Sequence, residues 1–201
     1  MVAGHRGVGG DEARARRGAR CVLVEAHRAR EGLGRSRGGL TTKIHVAADL
    51  ACRPLVTLAS PGQRSDARGF APVMDRLRLA RAGPGRPRTR PDRVLGDKAY
   101  SSAGIRAHLR DRGIAAAIPV KDDQARHRTA RGSRGGRPPS FDPQAYKARN
   151  SVERAINRLK RARAVALRTD KRLYVYTATV NVATIDLWLR NHTQTDPSNT
   201  P

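Results

Sequence analysis

The alternation of apolar and polar positions divides the chain into short blocks. Residues 41–48 (TTKIHVAA) alternate and are rich in β-branched side chains, which predicts a strand with one buried face. Residues 53–59 (RPLVTLA) repeat the pattern, and 49–52 (DLAC) between them reads as a hairpin turn. Upstream, Cys21-Val22-Leu23-Val24 is a short apolar run that reads as another strand, and 32–39 (GLGRSRGG) reads as a loop. Ser60-Pro61-Gly62-Gln63 closes the second strand of the hairpin. From Asp66 to Leu79, the residues Phe70, Val73, Met74 and Leu77 recur at helical spacing and predict an amphipathic helix.

In the second half, residues 81–91 (RAGPGRPRTRP) predict a basic loop stiffened by proline, and 93–97 (RVLGD) a short buried strand ending in a carboxylate. A helix is expected over 103–112, capped by Ser101 or Ser102 and stopped by Gly113. A strand follows over 114–120, with Pro119 at its end or on an edge. Residues 121–143 read as a mobile polar connector, then a long helix from about 143 to about 163 and a final one over 174–190. Three strands followed by alternating helices and strands is the order of an α/β fold of the ribonuclease-H-like kind, a mixed sheet flanked by helices and possible without its first strand. Many mixed folds share that order.

Charge changes the picture most. The chain carries 41 Lys+Arg against 17 Asp+Glu, a net +24, which suits a polyanion partner such as DNA or RNA. Most of the cations are arginines, which fork onto phosphate and stay charged when partly buried. Aromatics make up only 3% of the chain, so a modest core with solvated arms is expected. We divide the chain into an irregular N-terminal segment (1–31), one domain (32–190) and a disordered tail (191–201). Cys21 and Cys52 lack zinc spacing, the N-terminus lacks a leader pattern, and no run reaches the length of a membrane span. A cytoplasmic, nucleoid-associated protein with no membrane contact is expected. Residues 32–38 lack the strand–Gly–helix context of a dinucleotide fingerprint and no phosphate-binding loop is present, so no nucleotide cofactor is expected. The six histidines show no metal-ligand spacing, and His45 reads as structural.

Two constellations could carry chemistry. Tyr146, Arg149, Glu153 and Lys160 stand at successive spacings of three, four and seven. On one helix they share a stripe about 60° wide, beside the apolar Val152, Ile156 and Leu159. Glu153 could ligate a divalent metal, Arg149 and Lys160 could hold phosphates, and Tyr146 could bond or stack at a DNA backbone. The competing reading is a solvated face laced with ion pairs, Arg149–Glu153 among them. The second constellation is Asp97, at the C-terminal end of a buried strand, where open α/β sheets place ligands. Gly96 allows close backbone approach there, and Lys98 and Tyr100 would lie near a phosphate. The competing reading is an aspartate that caps the turn.

Tyr146-x-x-Arg149-x-x-x-Glu153-x-x-x-x-x-x-Lys160 resembles, without a gap, the Y-R-E-K signature of DDE transposases from bacterial insertion sequences. Within that group the chain resembles the insertion-sequence-five family. Leu33 to His45 is similar to its entry strand, and Ser60-Pro61-Gly62-Gln63 with Asp66 to its "PGQ…D" turn. Gly83 to Arg88, Ala99-Tyr100-Ser101-Ser102 and Arg134 to Pro139 add further blocks, so the likeness runs over residues 32–190. The resemblance implies metal-dependent cutting and rejoining of DNA at insertion-sequence ends, with two Mg²⁺ (or Mn²⁺) ions held by three carboxylates. It makes Asp97 the second carboxylate and Glu153 the third, and puts Tyr146, Arg149, Lys160 and Lys98 against DNA. The partners it implies are insertion-sequence ends and target DNA, with homo-oligomerisation left open.

The first carboxylate is not found. Setting Ala26-His27 on the family's Ala-His pair puts Arg20 where the aspartate belongs. Glu25 is the nearest acid but differs in spacing, Asp49 reads as a turn residue, and Asp11 lies in a stretch without resemblance. The helical DNA-recognition region usual upstream is also missing. These absences lead us to expect an N-terminally truncated transposase that binds DNA and joins strands poorly. Two alternatives stand beside it: a non-enzymatic basic nucleic-acid-binding protein, and a metal-dependent nuclease on the same fold.

Overall fold

The structure is a computed structural model that describes residues 27–81 and 83–195, with side chains to 191. The expected strand over 21–24, together with Arg20 and Glu25, lies outside the described residues. Strands β1 (Gly34–Ser36), β2 (Gly39–Ala48) and β3 (Pro54–Pro61) form an antiparallel sheet in that order. Part of the segment read as a loop is therefore a strand, joined to β2 by the two-residue turn Arg37-Gly38. The glycines there mark close packing rather than disorder. A Cβ on Gly34 would fall on the Gln63 side chain, and one on Gly62 would meet Thr41 Oγ1 at 2.0 Å. The β2–β3 turn forms where expected. Asp49 accepts hydrogen bonds from the Arg53 backbone N–H (2.9 Å) and from its guanidinium (2.7 Å), while the buried Cys52 adopts a left-handed conformation at φ 61°.

Alternation along β2 and β3 splits their side chains between two cores. Ala47, Val56 and Leu58 join Phe70, Val73, Met74, Leu77, Ile105, Leu109, Ile114 and Ile118. Ile44, Val46 and Ala59 join Leu159, Val165, Tyr176 and Val180. Helix α1 (Asp66–Arg76) covers the first face with Phe70, Val73 and Met74, and Leu77 leaves it in an extended conformation. Strands β4 (Arg93–Leu95) and β5 (Ala115–Ala117) pair in parallel, linked by helix α2 (Ala103–Asp111). Ser102 Oγ caps α2 by accepting from the Ile105 N–H, and Gly113 turns the chain away at φ 63°. Val94 and Ala116 pack into the first core, so hydrophobic contact rather than ladder bonding joins β4–β5 to the rest. Among the described residues the strands form two sheets, not the single mixed sheet that the order of elements suggests.

The expected mobile connector contains helix α3 (Asp122–Ala130) and a 3₁₀ turn over Gly132–Gly135. Helix α3 buries no side chain and so carries no apolar period to read; Asp122 and Asp123 at its start and His127 and Arg128 at its end suit the helix dipole. The expected long helix is three pieces: α4 (Pro143–Lys147), α5 (Asn150–Lys160) and α6 (Arg163–Leu167). At Ala148–Arg149 the backbone tightens to i→i+3 bonds, Arg149 N–H to Tyr146 O and Val152 N–H to Arg149 O.

The last helix, α7 (Leu173–Thr195), buries Tyr176 and Val180. Its start is clamped to the beginning of the described chain. The Glu31 carboxylate accepts from the Leu173 N–H and from Arg172, each at 2.9 Å, while Arg168 donates to the carbonyls of Glu31 and Gly32. These donors, the Leu173 N–H first, hold the Glu31 pKa below the usual glutamate value. Farther along, Trp188 Nε1 donates to Pro54 O at 2.8 Å. Among the described residues, no helix is long and apolar enough to cross a membrane.

Candidate functional site

Asp97 leaves β4 immediately after Gly96, whose N–H reaches Ala117 O at 3.3 Å. Gly96 is buried, and a Cβ there would approach Ile118 Cγ1 to 3.3 Å, so the backbone runs tight against the core just before the acid. The Asp97 side chain is exposed and accepts from the Lys98 N–H at 2.6 Å, capping a 3₁₀ turn over Lys98–Tyr100. Both readings of Asp97 thus meet in one geometry: it caps the turn and stands at a strand end. Lys98 Nζ lies 3.5 Å from Asp122 at the start of α3. Tyr100 packs its ring 5.9 Å from Phe70. Burial pushes its hydroxyl pKa up, and the negative fields of Asp66 and Asp97 push it further.

Three of the four residues of the second constellation stay in contact across the break in its helix, because the break is tight. The Arg149 guanidinium lies 5.6 Å from the centre of the Tyr146 ring and donates to Glu153 Oε1 at 2.7 Å. Tyr146, Arg149 and Glu153 therefore form a chain of contacts across the α4–α5 junction. The ion pair of the competing reading is present within it. Glu153 and Lys160 are both exposed, and Lys160 ends α5. Upstream, Asp142 caps α4 through the N–H groups of Ala145 and Gln144, with Pro143 at the first helical position. Arg93 of β4 pairs with Asp142 at 2.9 Å and ties the strand that leads to Asp97 to the helix that leads to Tyr146. The Ala145 N–H and then the Arg93 charge hold the Asp142 pKa low.

Among the described residues, no hydrogen bond or ion pair joins the Asp97 turn to the Tyr146–Arg149–Glu153 chain. Nor do three His, Cys, Asp or Glu side chains gather there as a metal cage. Asp97 and Glu153 are exposed carboxylates, so their chemistry suits a hard cation, but the donor count falls short.

Sequence reasoning gave Asp66 no role beyond its motif, yet it sits beside this region. Its carboxylate pairs with Lys43 Nζ at 2.9 Å and its field reaches Tyr100. The available signal was an acid in the first turn of a helix directly after the Pro-Gly-Gln turn, which is equally what a dipole-matched helix start looks like. His45 is structural as expected. It is buried, its Nε2 lies 2.8 Å from Ser60 Oγ, and Gly69 leaves room for its ring. An open groove of about 730 Å³ between α2, β5 and residues 137–140 has Arg106, Arg110 and Arg137 on its walls.

Comparison with known proteins agrees with the motif blocks. The chain is 28% identical over 151 residues to a Brucella ovis protein catalogued as a candidate transposase for insertion sequence element IS6501. That alignment covers 75% of this chain and all of the relative. No solved structure matches the chain. The family profile described as "Transposase DDE domain" matches residues 19–185, the greater part of the sequence, and the chain belongs to that family of insertion-sequence transposases.

Proposed function

We propose that this chain binds DNA through its arginine-rich surface and carries two of the three acids of a metal-dependent strand-transfer site, Asp97 and Glu153. The observation that carries the reading is the presence, in a member of this family, of both a strand-end acid at position 97 and the Tyr146–Arg149–Glu153 contact chain. The fold we propose is ribonuclease-H-like, a mixed sheet flanked by helices. Mg²⁺ or Mn²⁺, when bound, would supply the Lewis acidity that activates an attacking oxygen and steadies a leaving one. Arg149 holds Glu153 in register and neutralises it until a cation takes its place, after which its guanidinium is available to a DNA phosphate. Lys98, Lys160 and Tyr146 flank the two acids as further backbone contacts. Arg20, standing at the family's first acidic position, leaves the site one carboxylate short, and misplacement of the reacting groups alone costs about 100-fold or more.

Three measurements on the full chain test this. DNA affinity should fall steeply as salt rises, because several phosphates are neutralised. Mn²⁺ binding should weaken in Asp97→Asn and in Glu153→Gln. Joining of insertion-sequence-end DNA should be feeble. Mn²⁺ binding unchanged in both variants would favour a purely nucleic-acid-binding protein. Hydrolysis without joining and without preference for transposon ends would favour a nuclease. Vigorous Mg²⁺-dependent joining by the unaltered chain would refute the impairment.

A further inference from the structure

The groove of about 730 Å³ beside β5 takes no part in the site described above. Its floor is apolar, built from Leu109, Ile114 and Ala116. One wall is α2, with Arg106 and Arg110. The other is Arg137-Pro138-Pro139-Ser140, whose motif block has no role in the proposed strand-transfer site. No acid lines the groove. Arg106 is braced: its Nε donates to Ser101 O at 3.3 Å and its Nη2 to Ile118 O at 2.8 Å. Arg110 and Arg137 are exposed, and among the described residues neither side chain makes a hydrogen bond or an ion pair. Three guanidiniums around an apolar floor fit a ligand that is anionic along one edge and flat and apolar along another. We propose that the groove holds an unpaired DNA strand, its phosphates on Arg106, Arg110 and Arg137 and its bases against the floor and the two prolines.

The shape of the site selects a single strand. A duplex turns its bases inward and would leave the apolar floor facing water, whereas an open strand presents phosphates on one side and base faces on the other. Arg106 and Arg110 stand one helical turn apart, about 6 Å, the step that an extended strand makes between phosphates. The space accommodates about two nucleotides. No aromatic ring lines the groove, so the bases gain apolar contact without specific pairing, and binding is modest and tolerant of sequence. Position gives the groove its use. Ala116 pairs with Val94 of β4, and Asp97 follows three residues farther along, about 10 Å. A strand opened or cut beside Asp97 therefore finds the groove one β-strand away, and lodging there keeps it from re-pairing. This inference rests on the reading that the chain works on DNA, and adds to it a second, metal-independent site for one strand.

Fluorescence anisotropy of a labelled oligothymidylate about eight nucleotides long, with chelator present so that no strand is cut, reads the groove directly. The full chain should bind it, and an abasic oligomer of the same length and charge should bind at least about fivefold more weakly. Arg110→Glu with Arg137→Glu should weaken thymidylate binding at least about tenfold, with circular dichroism and the urea midpoint unchanged, since both side chains are exposed. The charge-matched Arg35→Glu with Arg37→Glu, at β1 and the turn after it, should cost no more than about threefold, the share of general attraction. Equal losses in the two double variants, or equal affinity for the abasic oligomer, would overturn the proposal and leave general charge attraction. Displacement of the thymidylate by oligoglutamate of matched charge at equal concentration would overturn it in favour of an acidic peptide. Duplex and Mn²⁺ binding, measured alongside, separate this inference from the proposed function. If both persist while the thymidylate fails to bind, the groove alone is refuted. If the unaltered chain binds no DNA of either kind, the reading beneath it falls as well.

Discussion

The half of the molecule that carries Asp97 and the half that carries Glu153 are built to different standards. Around Asp97, nine buried side chains from β3, from α1 and α2 and their ends, and from either side of β5 form one core, and the acid follows a glycine pressed against Ile118. Around Glu153, four buried side chains hold α5, α6 and α7 to the opposite face of β2–β3, and the acid is aimed by one arginine across a helix junction. The first half fixes its acid through the backbone, and the second fixes it through a side chain. A strand end does not move without the sheet. An ion pair on an exposed helix turns over at little cost, which suits the exchange of arginine for another cation in the proposed function.

The contrast can be broken in order of expected effect. Leu109→Ala, in the larger core, should cost about 3–4 kcal/mol, and Leu159→Ala, in the smaller one, about 2–3, because a helix resting on few contacts can settle into the space left behind. Urea denaturation of both variants checks this, and equal losses would erase the distinction. Gly69→Ala drives a methyl to within 2.5 Å of the His45 ring and should cost about 1–2 kcal/mol through overpacking. A neutral result would mean that α1 slides freely on β2.

Acid should act on the same contact more mildly. Burial lowers the His45 pKa against the weaker, opposing field of Asp66. Folding therefore favours neutral imidazole, and that stabilisation is complete above the ordinary histidine pKa of about 6.5 and fades as pH falls toward the depressed value. The urea midpoint should drop between pH 7.5 and 5.5, and His45→Gln should flatten that part of the profile. Smallest of all, Arg149→Ala should change stability by no more than about 0.5 kcal/mol, since its pair with Glu153 is partly exposed. The same variant should reduce the slope of DNA affinity against salt by about one. A large loss of stability would mean that Arg149 is a structural strut rather than a DNA contact.

Those differences also explain what could be read from the residues in advance. Wherever one face of an element is buried, its period is written in the text: β2, β3, α1 and α2 lie within a few residues of their expected bounds. Helix α3 buries nothing and leaves no such trace. The break at Ala148–Arg149 is equally silent, because a 3₁₀ step keeps residues three apart on one side, and Tyr146, Arg149 and Glu153 would have aligned in either geometry. Residues 34–36 were masked by their glycine content, which records a tight backbone approach to Gln63 that only the tertiary structure reveals. At the candidate site, the Y-R-E-K spacing anticipated the Tyr146–Arg149–Glu153 contacts because it follows the helix surface. The place of Asp66 beside Lys43 and Tyr100 depends on three separate elements meeting, and no local spacing records that.

The clamp at Glu31 sets an order of events during synthesis. Its partners at 168–173 are made some 140 positions later, so in a growing chain Glu31 has no helix to cap, and Gly32 no Leu173 to seat against, until those residues have emerged. Closing so long a loop is slow relative to local helix formation. A product that stops short of residue 168 can never tie this knot.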